Sequence, residues 1–143
     1  MPKRSPLGSS DFREVIEENM YYVDKTTMMR AVLEGAKVQL HCRPRRFGKT
    51  LNLSTLRYFY DRQGGYRHLF EGLAVAQDEG MMQHQGKYPV MTLSFKDVKA
   101  SSYASALGGM AKLLYREWQR HPQLSGNPMY DVMMADMNAN FRS

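Results

Sequence analysis

Arg43-Pro44-Arg45-Arg46-Phe47-Gly48-Lys49-Thr50 is the stretch on which the reading of this chain turns. Its second half sets a glycine, a lysine and a hydroxyl residue in succession. A phosphate loop needs that order. The glycine lets the backbone approach an anion closely, the lysine reaches the β- and γ-phosphates, and the hydroxyl binds Mg²⁺. Arg45, Arg46, Phe47, Gly48, Lys49 and Thr50 are therefore the candidate nucleotide-binding residues, with Thr50 as the candidate metal ligand. The first half departs from the usual G-x-x-x-x-G-K-S/T spacing, because Arg43 stands where the first glycine is expected.

A phosphate loop also needs a strand to deliver the chain and a helix whose N-terminus points at the anion. Lys37 to Cys42 is a short strand candidate on one side. On the other, Leu51 to Tyr60 runs without Gly or Pro, with Leu53, Leu56 and Tyr60 on one helical face and Gly64-Gly65 beyond. Further upstream, Ser9-Ser10-Asp11 offers capping oxygens to a helix from about Asp11 to Glu18, where Phe12, Val15 and Ile16 share a face. Tyr21 to Thr26 reads as an extended stretch ending in a threonine cap. Met29, Val32 and Leu33 supply the next apolar face, which Gly35 is placed to end.

Downstream, Phe70 to Lys87 reads as a loop-rich excursion, and Tyr88 to Phe95 as a second strand with its proline near the start. Tyr103, Leu107, Met110, Leu114 and Trp118 recur at steps of three and four, predicting a long amphipathic helix across the costly Gly108-Gly109 pair. Gly126-Asn127-Pro128 makes a turn before a Met-rich helix from Tyr130 to Phe141. This order predicts an α/β fold: part of a P-loop NTPase, a parallel sheet flanked by helices, with an N-terminal helical lead-in.

Bulk properties narrow the classes. The 143 residues suit one domain, and 43% apolar with 24% charged residues argues against wholesale disorder. No stretch approaches the roughly 20 apolar residues of a bilayer span, and the basic N-terminus is followed by no apolar segment of a secretory signal. Cys42 is the single cysteine, so a cytoplasmic, reducing setting is the default. The net charge of +6 favours a phosphate-bearing partner without separating a nucleotide from a polynucleotide.

The loop closely resembles that of the bacterial AAA-ATPase-like proteins. The resemblance is carried by Arg43 to Thr50, by Tyr22-Val23-Asp24-Lys25-Thr26 before it and by Leu51-Asn52-Leu53-Ser54 after it. It continues through Phe70-Glu71-Gly72-Leu73 and Gly86-Lys87-Tyr88-Pro89-Val90, and so covers most of residues 8 to 100. In that family an arginine at the first glycine position is the rule, and a PD-(D/E)XK nuclease-like domain usually follows. The resemblance implies binding of ATP with Mg²⁺, and an involvement with nucleic acid through a longer parent protein.

An ATPase of this class also needs an apolar strand ending in an acidic residue that holds Mg²⁺. Asp78-Glu79 and Asp97 are local candidates, but each reads better as a solvated turn carboxylate. In the resembled family the motif comes later. The expectation is therefore that residues 1–143 form the N-terminal part of such a domain, stopping before that motif, with residues 1–8 flexible. Binding is the safer expectation than hydrolysis.

Alternatives stay open. Arg43, Arg45 and Arg46 suit a nucleotide, a polynucleotide backbone or ion pairs, so a basic nucleic-acid-binding module is the main rival and a P-loop phosphotransferase the next. Tyr22 to Lys25 read as an adenine edge or, better, as packing for Tyr22 and Val23. Burial is the ordinary reading of Cys42, with reactivity beside nearby cations the alternative. The four histidines show no ligand spacing, which leaves nucleotide-bound Mg²⁺ as the expected metal.

Overall fold

The computed structural model describes residues 3–6, 8–44, 48–96, 98–99 and 101–141. They fall into two compact units, Met1–Val90 and Met91–Ser143.

The first unit is built on three helices. Asp11 caps α1 (Phe12–Glu17) by accepting the Glu14 N–H, as its place in the sequence predicts. α2 (Met28–Glu34) stops at Gly35. α3 (Lys49–Tyr60) turns Thr55, Tyr58 and Phe59 inward. The excursion that follows is indeed short-ranged: 3₁₀ turns at Tyr66–Phe70 and Ala74–Gln77, then the single turn α4 (Glu79–Met82) capped by Asp78. Each contributes to the core, where Phe12, Met29, Phe59, Leu69, Phe70, Val75 and Met81 are all but fully buried. Each such side chain contributes roughly 1.5–3 kcal/mol on burial. Phe70 organises the aromatic centre, stacked on Phe12 at 5.0 Å and met edge-on by Phe59 at 5.1 Å.

The expected parallel sheet is absent. No strand forms among the described residues; the backbone pairs in β fashion only at one isolated parallel bridge, Asp61 with Tyr88. Lys37 to Cys42 is not a strand, and Val38 and Leu40 stand 86% and 88% exposed. Two physical reasons are visible. A strand exists only as a ladder, and this segment forms no ladder with another among the described residues. In addition, the Gln39 side chain folds back to donate to the Val32 and Ala36 carbonyls, tying the segment to the end of α2.

Tyr88 to Phe95 is likewise no strand. At its start, Tyr88 donates its N–H to the Tyr60 carbonyl and accepts from the Arg62 N–H, closing onto the end of α3. The expected α3 face is met in part, since Leu56 and Tyr60 pack against the core. Leu53 is exposed, while Tyr58 and Phe59 take the core.

In the second unit, α5 (Tyr103–Gln119) begins with a capping box between Ser102 and Ser105 and runs unbroken through Gly108-Gly109. A Cβ on Gly109 would lie 3.3 Å from a Val98 methyl, so the missing side chain is what admits Val98. Glu117 is buried within this unit and accepts the Thr92 N–H at 2.9 Å, which removes a donor that a strand would need. α6 (Pro128–Phe141) starts with proline in its first turn, where a missing N–H costs nothing. The Asn127 side chain accepts from the Met129 and Tyr130 N–H groups. α6 is tied to α5 by Tyr115 to Asn138 and by Tyr130 to the Trp118 carbonyl.

Candidate functional site

Gly48 stands immediately before α3 with φ 73° and ψ 20°, a left-handed conformation that an L side chain adopts only at a cost. Among the described residues, chain neighbours aside, a Cβ built on it would meet no atom within 4 Å. Having no side chain, Gly48 cannot cap the first-turn N–H groups of α3. A helix start without a side-chain cap leaves first-turn N–H groups and the helix dipole as an attraction for anions. Lys49 reaches back over the loop and donates from Nζ to the Arg43 carbonyl at 2.6 Å, joining the two ends of the motif. Thr50 is exposed on the first turn. Arg45, Arg46 and Phe47 lie outside the described residues.

Beside this loop opens a cavity of about 570 Å³, within the size range of small-molecule sites. One wall is apolar, formed by Met28, Ala31 and Val32 of α2 with Leu53 and Leu56 of α3. Leu53 and Leu56, expected on one helical face with Tyr60, both line this space, and Leu56 also packs against the core. Gln39 and Asn52 offer amides. Lys25, His41, Arg43 and Lys49 supply cationic or titratable nitrogen, and no Asp or Glu lines the cavity among the described residues. The cations attract an anionic group, and the side chains of α2 and α3 offer apolar contact.

The segment before α2 has a role that sequence reasoning missed. Asp24 accepts from Thr26 Oγ1 at 2.6 Å, from the Thr26 N–H at 2.8 Å and from the Ala74 N–H at 2.7 Å. Thr26, fully buried, accepts in turn from the Val75 N–H. Burial works to raise the Asp24 carboxyl, but the bonds from Thr26 Oγ1, Ala74 and Thr26 N–H outweigh it and hold the pKa below the ordinary value. Asp-x-Thr is a known local turn signature, so the spacing was a usable signal. The expected threonine cap on α2 is not made: Thr27 occupies the cap position without a side-chain bond, and Thr26 is spent on Val75. Tyr22 packs edge-on against Phe12 at 5.4 Å, whereas Val23 is exposed rather than packed.

The acidic candidates are engaged elsewhere or lie outside the description. Asp78 caps α4 and forms an ion pair with Arg30, whose hydrogen bond chiefly holds its pKa low. Asp97 lies outside the described residues. Cys42 is an exposed free thiol rather than a buried one. Among the described residues no group of three or more His, Cys, Asp or Glu could hold a metal ion, and no helix is long and apolar enough to cross a membrane.

Residues 6–141 match the family model described as Predicted AAA-ATPase. The chain is also 33% identical over 113 residues to an uncharacterized protein in the vnfD 5′ region of Azotobacter chroococcum mcd 1, an alignment covering 78% of this chain and 21% of that protein. The chain thus spans about a fifth of the length of this curated relative. No solved structure matches it.

Proposed function

We propose, because this chain belongs to the predicted AAA-ATPase family, that its Arg43–Thr50 loop binds the phosphates of ATP together with Mg²⁺. The observation that carries this reading is the left-handed Gly48 at the start of α3, with Lys49 next to it lining the cavity. In the bound state Lys49 leaves the Arg43 carbonyl for the β- and γ-phosphates, and the backbone of residues 45 to 50, with Arg45 and Arg46, cradles them. Thr50 lends its hydroxyl to Mg²⁺, which arrives with the nucleotide. The fit is chemical: a helix start without a side-chain cap, and cations with no Asp or Glu lining the cavity among the described residues.

Calorimetric titration with Mg-ATP tests it. The expected result is one saturable isotherm that Lys49→Ala abolishes, while Thr50→Ala retains ATP binding and loses its dependence on Mg²⁺. No binding by the unaltered chain, or an isotherm indifferent to Lys49→Ala, overturns the proposal. Steeply salt-dependent DNA binding without nucleotide binding selects the nucleic-acid module instead.

A further inference from the structure

Lys25 lines the same cavity as Lys49 and Arg43, although it lies 24 positions before Lys49 in the sequence. It is exposed and forms no ion pair among the described residues. The nearest carboxylate in sequence, Asp24, forms no ion pair with it. Both Asp24 oxygens are already committed, one to Thr26 and the other to the Ala74 N–H. Thr26 on the other side is held to the Val75 N–H, and the Lys25 carbonyl accepts from the Met28 N–H as α2 begins. The backbone of Lys25 is thereby fixed on both sides while its ammonium is left without a partner.

An unpaired cation held at a cavity that already contains Lys49 and Arg43, with no acid lining it, raises the local potential for anions. We propose that Lys25 is a second phosphate-binding cation of this cavity, presented by a clip in which Asp24 and Thr26 grip the turn at residues 73–75. Asp24 is a positioning residue: it acts on the ligand only through Lys25. The inference rests on the nucleotide reading and adds to it a residue outside the glycine-lysine-threonine motif.

The test is titration of the full chain with ATP, ADP, AMP and adenosine in Mg²⁺, using the unaltered protein, Lys25→Ala, Lys25→Arg, Lys49→Ala and Asp24→Asn. Lys25→Ala is expected to weaken ATP about tenfold, the scale of one charge-assisted hydrogen bond. It should leave adenosine unchanged, and Lys25→Arg should restore most of the ATP affinity. Asp24→Asn should weaken ATP in the presence of Lys25 and add nothing in the Lys25→Ala background, because a positioning effect vanishes with the group positioned.

Unchanged ATP affinity in Lys25→Ala, or equal loss for ATP and adenosine, overturns the role of Lys25. If Lys49→Ala abolishes ATP binding at the same time, the nucleotide reading stands without it. An equal effect of Asp24→Asn in both backgrounds overturns the clip as a positioning device. Failure of the unaltered chain to bind ATP overturns both readings. Thermal melts of each variant separate lost affinity from lost fold.

Discussion

Among the described residues, chain neighbours aside, an alanine at position 48 would meet no atom within 4 Å of its new Cβ, and its backbone conformation carries the cost. Holding an L residue near φ 73° costs about 1 kcal/mol or slightly more. Gly48→Ala is therefore expected to lower unfolding free energy in urea by about that much, and Gly48→Asn by less, since asparagine visits the left-handed region more readily. Equal stability of all three proteins would mean the loop relaxes away from this geometry. Asp24 makes a prediction in pH. Its folded-state pKa is depressed, so its contribution is present above the unfolded value and is lost as pH falls through the folded one. Asp24→Asn should melt below the unaltered protein at pH 7, with the gap closing below about pH 4, the ordinary carboxylate range. A gap independent of pH would show that the carboxylate charge is not what the clip uses.

At the scale of elements, the helices were legible and the strands were not. α1, α5 and α6 lie close to where caps and apolar spacing set them, because those signals are local and act through bonds between neighbouring residues. The segments at Lys37 to Cys42 and Tyr88 to Phe95 carry the same local signature as strands, yet a strand is decided by a partner far away in sequence. Here the competing bonds, from Gln39 to the end of α2 and from Thr92 to Glu117, are side-chain choices that no pattern of hydropathy records. The same limit explains α3. Both Leu53-Leu56-Tyr60 and Thr55-Tyr58-Phe59 are helical faces; the aromatic partners Phe12 and Phe70 bury the second, while Leu56 and Tyr60 of the first pack only partly against the core. Phe59→Ala should accordingly cost about 3–5 kcal/mol in urea unfolding. Leu53→Ala, at a side chain 57% exposed, should cost under about 1 kcal/mol. Comparable losses would place α3 in a different rotation.

Over the whole chain, charge and topology bear on the same cavity from different directions. Six net positive charges set a weak general attraction for anions, whereas the cations of Lys25, Arg43 and Lys49 are brought together by two separate segments. One of those segments is the motif, legible in the sequence. The other is held by bonds to residues 74 and 75, about 50 positions away, which the sequence does not announce. A ligand that binds this assembly stabilises every segment it joins, by about 2.7 kcal/mol at a hundredfold excess over Kd. Hydrogen exchange with saturating Mg-ATP should then show added protection at residues 24–34, 48–60 and 73–76. The protection at 73–76 is the informative part, since no residue there lines the cavity and the effect must travel through Asp24 and Thr26. In Asp24→Asn that distant protection should shrink while protection along α3 persists. Protection confined to the loop and α3 in the unaltered protein would show that the clip and the phosphate site are energetically separate.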